Sequence, residues 1–341
     1  MSGGDVSVVV LTYNGWHLAE TCLSRLAAQD PAPLEIILVD NGSREDLAAR
    51  ARHAFPGLRS LRLETNRGYA GGNNAGAAAA RGAFVALVSD DVEVGPHFVR
   101  DLRAAFDGDP NVVLAGPAVD NDHVDPAAYP GHGTLGLTGN VIHNVLPDGT
   151  ETFGAPGCAL MYRADRVGRP FDPDYHCFHE EIQLAWRMRL LGWKVVRVPG
   201  TRVRHRGGAT VGGVTDANRF FLERNRRLNL MTCYAPATRR RVRPLLVLAD
   251  ALAWLGDVRA GRSRRPIRDA RGWLAAHRRN VEEKRRSLQR SRRVGDEAIL
   301  RWMSCRVTNQ PGPAGRFANR LAALWCRAVG LRTYEHTGSG S

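Results

Sequence analysis

Lysine is almost missing from this sequence: of its 48 Lys and Arg residues, only Lys194 and Lys284 are lysines. The P-loop pattern G-x-x-x-x-G-K-[ST] is absent, and "LTYNGWH" carries no G-x-G-x-x-G after the first apolar run. A dinucleotide fold of the Rossmann type and a P-loop nucleotidase are thereby set aside. Six cysteines (Cys22, Cys158, Cys177, Cys233, Cys305, Cys326) show no short paired spacing, which argues against a zinc knuckle or a disulfide framework. A reducing, cytoplasmic setting is the expectation. The longest apolar stretch, "PLLVLADALAWLGD", is too short to span a bilayer and contains Asp250. "MSGGDVSVVVLTYNG" has no basic leader region, so no secretory signal is expected. Aromatic residues are few, at 7%, and no nucleic-acid-reading motif occurs, so nucleic acid is not expected as a partner.

What is present is uneven. Residues 1–200 hold 17 Lys+Arg against 24 Asp+Glu, a net of −7; residues 201–341 hold 31 against 10, a net of +21. An acidic part followed by a basic part predicts two regions with different partners. The first 120 residues alternate strand and helix. "VSVVVLTY", "EIILVD", "LRSLRLE" and "AFVALVS" read as strands of a sheet covered on both faces. "WHLAETCLSRLAAQ" reads as a helix, "GSREDLAARARHAF" as a helix capped by Ser43, and "GGNNAGAAAARG" as a loop running into a short helix. This order predicts an open α/β sheet with ligands at the carboxyl ends of its strands, where Asp40, Asn41, Asp90 and Asp91 fall. Residues 121–160 read as loops with short strands. "HEEIQLAWRMRLLGW" follows as an amphipathic helix stopped by Gly192, then "KVVRVP" as a strand. From about residue 215 the chain is helical and Arg-rich, with breaks near Pro236, Pro266 and "NQPGPAG".

Three stretches carry candidate chemistry. "ALVSDDVEV" ends an apolar strand on adjacent carboxylates, which either cap a turn or hold a cation. "GYAGGNNAG" is either a tight loop before a helix or a phosphate-approach loop. The Glu180–Glu181 pair opens a helix, where carboxylates are favoured in any case, or supplies a base whose pKa the paired charges raise.

Together, "VVVLTYNG", "EIILVDNGS", "NRGYAGGNNAG", "ALVSDDVEV", "FDPDYHCFHEEIQLAWRMRLLGW" and "VPGTRVRHRGG", in this order, resemble the family 2 inverting glycosyltransferases of the GT-A fold. The resemblance spans residues 5–235 and is to the bacterial rhamnosyl- and galactofuranosyltransferase-like members. It implies a nucleoside-diphosphate-sugar donor and Mn²⁺ or Mg²⁺. It places Thr12, Tyr13, Asn14 and Asp40 at the nucleotide, with Asp40 on the base, and Asn66, Gly71, Gly72 and Asn74 in a loop beside nucleotide and phosphates. Asp91 falls on the metal-binding Asp of a D-x-D-type signature, Asp90 beside it on the donor, and His205 on a second metal ligand. Read alone, His205 is equally a surface histidine in an Arg-rich loop. Glu181 takes the position of the catalytic base, with Glu180, Gly157 and Trp186 beside it or on the acceptor side. Two departures stand out: Ser89 opens the metal signature, and Gln183 replaces an Asp of the base motif.

The expected organisation is a GT-A catalytic domain over 1–235, an Arg-rich helical region over 236–335 and a flexible tail over 336–341. The acceptor would be a hydroxyl of a glycan, a lipid-linked carrier or a natural product. The basic helices could meet an anionic membrane surface on its cytoplasmic face, a second subunit, or solvent alone. Two rival readings are a sugar-1-phosphate nucleotidyltransferase, whose basic Gly-rich loop after strand one is missing here, and a degenerate nucleotide-sugar-binding module.

Overall fold

A computed structural model describes residues 3–122, 133–143, 150–207 and 215–337. Most of the expected tail, from residue 338 onward, lies outside the described residues. The strands are β1 (Val6–Thr12), β2 (Glu35–Asp40), β3 (Arg59–Arg62), β4 (Phe84–Ser89), β5 (Val92–Val94), β6 (Val112–Asn121), β7 (Gly133–Leu135), β8 (Val141–His143), β9 (Ala159–Arg163) and β10 (Lys194–His205). The helices are α1 (Trp16–Ala27), α2 (Leu47–Ala54), α3 (Gly68–Ala79), α4 (Phe98–Ala104), α5 (Ala164–Val167), α6 (Glu180–Leu190), α7 (Asp216–Cys233), α8 (Pro236–Arg259), α9 (Arg265–Ala276), α10 (Arg278–Ser291), α11 (Glu297–Leu300), α12 (Pro313–Ala328) and α13 (Tyr334–Thr337).

The chain forms two compact units, the first comprising Met1–Gly131, Gly154–Met188 and Trp193–Gly213, and the second His132–Phe153, Arg189–Gly192 and Val214–Ser341. The division differs from a single cut at 235/236. Helix α7 packs with α9 and α10 in the second unit, because its charged and apolar groups find their partners there.

The first unit is built on a mixed sheet in the order β3-β2-β1-β4-β9-β6-β10-β5. β1 pairs parallel with β2 and with β4, while β9 runs antiparallel to β4 and β6. Every residue of β1 is buried, as a strand covered by helices on both faces must be. The chain leaves β1 toward β2 and β3, then returns to β4 on the other side of β1. The carboxyl ends of β1 and β4 therefore flank the point where strand order reverses, where open α/β sheets bind ligands.

Local chemistry sets the elements. α1 buries Leu18, Cys22 and Leu26, the spacing seen in the sequence, together with Ala19 and Leu23. α2 is capped by Asp46, whose carboxylate accepts from Ala49 N at 2.8 Å, and not by Ser43. Ser43 lies too early; its hydroxyl accepts from Asn14 N at 2.9 Å instead. The glycine-rich stretch expected as a loop is helical throughout, from Gly68 to Ala79. Its glycines let the helix lie hard against the sheet, since a Cβ on Gly72 would stand 2.4 Å from Leu11 Cδ1. α6 ends as expected before Gly192, which takes the left-handed φ of +83°.

The second unit contains the hairpin β7–β8 and the helices from α7 onward. Pro236, Pro266 and Pro313 each stand in the first turn of a helix, so the expected breaks are helix starts. A cluster of Glu223, Arg226, Arg227, Asp250 and Arg271 ties α7, α8 and α9 together, with Arg227–Asp250 at 2.6 Å and Arg271–Asp250 at 3.1 Å. Among the described residues, no helix is long and apolar enough to cross a membrane.

Candidate active site

The adjacent carboxylates after β4 point in different directions and meet different partners. Asp90 turns back toward β1 and accepts from Thr12 Oγ1 at 2.7 Å. It also lies against the start of α1, where a Cβ on Gly15 would stand 3.0 Å from Asp90 Oδ2. Burial, only partly offset by the Thr12 hydroxyl, pushes Asp90 up to about 7, and the charge of Asp91 adds to the rise. Asp91 faces β10. There the antiparallel pairing of β5 and β10 sets His205 opposite Val92 and brings His205 Nε2 to 3.4 Å from Asp91 Oδ1.

His205 is held from behind. Its Nδ1 lies 2.8 Å from Asn121 Oδ1 at the end of β6, which the parallel β6–β10 register places beside it. Fixing one ring nitrogen and aiming the other at a carboxylate is how proteins prepare an imidazole to ligate a metal. Among the described residues no group of three or more His, Cys, Asp and Glu side chains could hold a metal ion by itself. Asp91 and His205 nevertheless fit one that takes its remaining ligands from phosphate oxygens and water, as Mg²⁺ and Mn²⁺ commonly do.

The Gly157–Cys158 segment runs between this pair and the second set of carboxylates. Ser89 N donates to Cys158 O at 2.9 Å. Burial, and then the charges of Asp91 and Glu181, push the Cys158 thiol up to about 12, so one residue feels both acids. A Cβ on Gly157 would lie 3.3 Å from the Glu181 side chain, and Gly157 O accepts from Tyr69 Oη at 2.5 Å. Glu180 and Glu181 open α6. Both carboxyls are raised by burial, and Glu180 further by the charge of Glu181. Glu180 is 4% exposed and its Oε2 has no hydrogen-bond partner among the described residues, so it is the inner, protonation-prone member. Glu181 is the less covered, and backbone N–H groups of residues 181 and 182 favour its ionised form. The approach to the helix is strained: His176, Phe178 and His179 have φ of +58°, +67° and +64°. Non-glycine residues held there in succession fix where α6 begins.

Several expected site residues do other work. Asp40 is fully buried, and its oxygens accept from Ser43 N at 2.9 Å and Leu47 N at 3.1 Å. It holds the turn after β2. Asn14, at φ +55°, is tied to the same turn, where its Oδ1 accepts from Arg44 N at 2.9 Å. Tyr13 between Thr12 and Asn14 is partly exposed. Asn66 Oδ1 accepts from Asn41 Nδ2 and Gly68 N, fastening the turn into α3. Asn74 exchanges two hydrogen bonds with the Phe171 backbone, at 2.8 and 3.0 Å. Gly71 and Gly72 lie within α3, where Gly72 packs against Leu11 and Gly71 lies beside the Arg67 side chain. Trp186 is completely buried and belongs to the core, not to the acceptor side. Sequence reasoning passed over Tyr69 and Asn121. Neither carried a signal, because their roles depend on strands and loops that meet only in the fold.

Residues 7–166 match the sequence pattern of the family described as Glycosyl transferase family 2. Over these residues the chain is a family 2 glycosyltransferase. The transferase is 26% identical over 239 residues to an N-acetylglucosaminyl-diphospho-decaprenol L-rhamnosyltransferase of Mycobacterium tuberculosis, covering 60% of this chain and 77% of that one. It is 30% identical over 128 residues to the succinoglycan biosynthesis protein ExoO of Rhizobium meliloti, covering 37% of this chain and 35% of that one. Its fold is shared with GalNAc-T7, solved with UDP, GalNAc and Mn²⁺, at 18% identity and a TM-score of 0.58, over 71% of this chain and only half of that one. It is shared also with S. aureus TarS 1-349 in complex with UDP, at 14% identity and a TM-score of 0.52, over 96% of this chain and 90% of that one. The transferase thus has the GT-A architecture, with a mixed sheet flanked by helices and a helical C-terminal region.

Proposed function

We propose that the transferase moves a glycosyl group from a UDP- or dTDP-sugar to a hydroxyl of a lipid-linked glycan, with inversion at the transferred carbon. The observation that carries this reading is the placement of two carboxylate sets on either side of the Gly157–Cys158 segment. Asp91 with His205 suits a diphosphate-bound cation, and Glu181 suits a proton acceptor. The lipid-linked class is favoured over other glycans and natural products by the mycobacterial relative, whose name specifies an N-acetylglucosaminyl-diphospho-decaprenol. The UDP-bound and Mn²⁺-bound structures of the shared fold support the donor class and the ion.

Asp91 and His205 would hold the Mn²⁺ or Mg²⁺. When bound, the ion supplies neutralisation of charge building on the leaving diphosphate. The remaining work belongs to side chains of this chain. Thr12 fixes the Asp90 carboxyl at the strand-order switch, and partly exposed Tyr13 lines the approach. Glu181 takes the proton of the acceptor hydroxyl as its oxygen bonds the anomeric carbon; the bond from that carbon to the diphosphate oxygen breaks, and its electron pair leaves on the diphosphate. Attack from the face opposite the leaving group inverts the centre. Glu180, raised by burial and by the charge of Glu181, disfavours two charges on the pair in a buried place. We place the enzyme at the cytoplasmic face of a membrane, where such acceptors are held.

Single-turnover transfer from a panel of nucleotide sugars to a polyprenyl-diphosphate-linked sugar tests this reading, with the product anomer assigned by NMR. Transfer with inversion from a UDP- or dTDP-sugar is expected. Retention, or nucleotidyl transfer to a sugar phosphate, would overturn it.

A further inference from the structure

Helix α12 is packed inside out. It buries Gly315, Ala318, Ala322 and Cys326, its smallest side chains, against the second unit. Its large apolar residues face solvent: Phe317 is 63% exposed, Leu321 43%, Leu324 57% and Trp325 37%. Their spacing of i, i+4, i+7 and i+8 puts them on one face of the helix. An ordinary surface helix does the reverse, so this face is made to be covered. Helix α8, in the same unit, also leaves large apolar residues in solvent. It buries Val242, Leu245 and Ala249 and exposes Val247, Trp254 and Val258 at 64%, 51% and 54%. The two helices are neighbours, since Trp325 Nε1 donates to Arg241 O at 2.8 Å.

The charge around these residues identifies what covers them. From Gly312 to Arg332 there are four arginines and no acidic residue, and Arg316, Arg320 and Arg327 are exposed beside the apolar stripe. The acidic residues of α8 are turned inward, Asp250 to Arg226, Arg227 and Arg271, and Asp257 to Arg219. The face is thus apolar and cationic, without a counter-charge of its own. A second copy docked by two-fold symmetry would set arginine on arginine. A surface that takes Phe, Leu and Trp into its interior and offers anions at its edge is the headgroup region of an anionic bilayer.

We propose that the outward face of α12, flanked by that of α8, docks the protein on an anionic lipid bilayer, with Phe317, Leu321, Leu324 and Trp325 entering the acyl boundary. This deepens the reading of a lipid-linked acceptor, but vesicle binding requires neither donor nor acceptor and can fail or succeed independently of it. The full chain is mixed with vesicles of phosphatidylcholine alone, or with phosphatidylglycerol added, at low and high salt, and sedimented. Binding to the anionic vesicles, weakened by salt, is expected. The Phe317→Ser/Leu321→Ser/Leu324→Ser variant should bind about tenfold or more weakly, because each buried apolar side chain contributes substantially to partitioning. Arg316→Gln/Arg320→Gln/Arg327→Gln should lose the preference for anionic lipid. Tryptophan quenching by brominated lipid reads penetration in the unmutated protein and needs no variant. Absence of quenching, equal sedimentation of the triple serine variant, or binding indifferent to lipid charge would overturn the proposal. So would a dimer of the unmutated chain that the serine changes dissociate.

Discussion

Asp91 and His205 are brought to 3.4 Å by two strands far apart in sequence, so each can be removed with a distinct consequence. Asp91→Asn removes the one charge of the pair and should abolish most of the Mn²⁺-dependent part of UDP or dTDP affinity. His205→Ala should weaken it less, since Asp91 remains. Calorimetry with and without Mn²⁺ checks both, and unchanged affinity in Asp91→Asn would remove the metal assignment. Glu181→Gln should bind donor normally and lose transfer by about 10²–10⁴-fold, the usual contribution of a positioned base. Glu180→Gln should lose far less, because its carboxyl is buried and neutral-leaning already. A greater loss in Glu180→Gln would exchange their roles. Since burial raises Glu181, the acidic limb of the kcat–pH profile should lie above the ordinary carboxylate range and disappear in Glu181→Gln. The sequence singled these residues out because ordered motifs name positions. What it could not display is that two backbone N–H groups engage the Asp40 carboxylate at its strand end.

Between elements, packing decides what composition leaves open. The glycines of "GYAGGNNAG" suggest a loop by propensity, yet α3 forms because only glycine allows its axis so near β1 and β2. Gly72→Ala should therefore destabilise despite alanine's better helix propensity, by about 1–3 kcal/mol, the usual result of overpacking a core. Leu11→Ala, which removes the methyl that the new Cβ would meet, should recover part of that loss when combined with it. Thermal melts of the two single variants and the double variant test this, and strict additivity would show that Leu11 is not the obstacle. The alternation of strands and helices was readable because continuous apolar runs and helical spacing are local signals. The prolines were equally legible as breaks: one helix ends before each of Pro236, Pro266 and Pro313, and each stands in the first turn of the next. The meeting of Asn121 and His205 rests on a β6–β10 pairing between residues 84 apart and leaves no local trace.

At the scale of the whole chain, the charge split and the compact units divide the sequence differently, since composition cannot say that 132–153 joins the later unit. One buried carboxyl in each unit responds to pH with opposite sign. In the first, burial and the neighbouring charge of Glu181 raise Glu180 above its unfolded value. The folded state then holds that proton more tightly, so the contribution to stability is full below the ordinary carboxylate range and is lost as pH rises through the raised pKa. Glu180→Gln should melt higher than the unmutated protein at neutral and alkaline pH, with the gain vanishing toward pH 4.5. In the second unit, burial acts to raise Asp250, but Arg227, Arg226 and Arg271 outweigh it and hold the carboxyl low. Its contribution is present above the unfolded pKa and is lost as pH falls through the folded one. Asp250→Asn should therefore cost about 1–3 kcal/mol at neutral pH, a partly buried pair broken with solvent screening allowed for, and progressively less in acid. Melting temperatures of the two variants across pH check both signs in one experiment. A loss in Asp250→Asn that grew on acidification would mean that the arginine cluster is stabilised by something other than ionised Asp250.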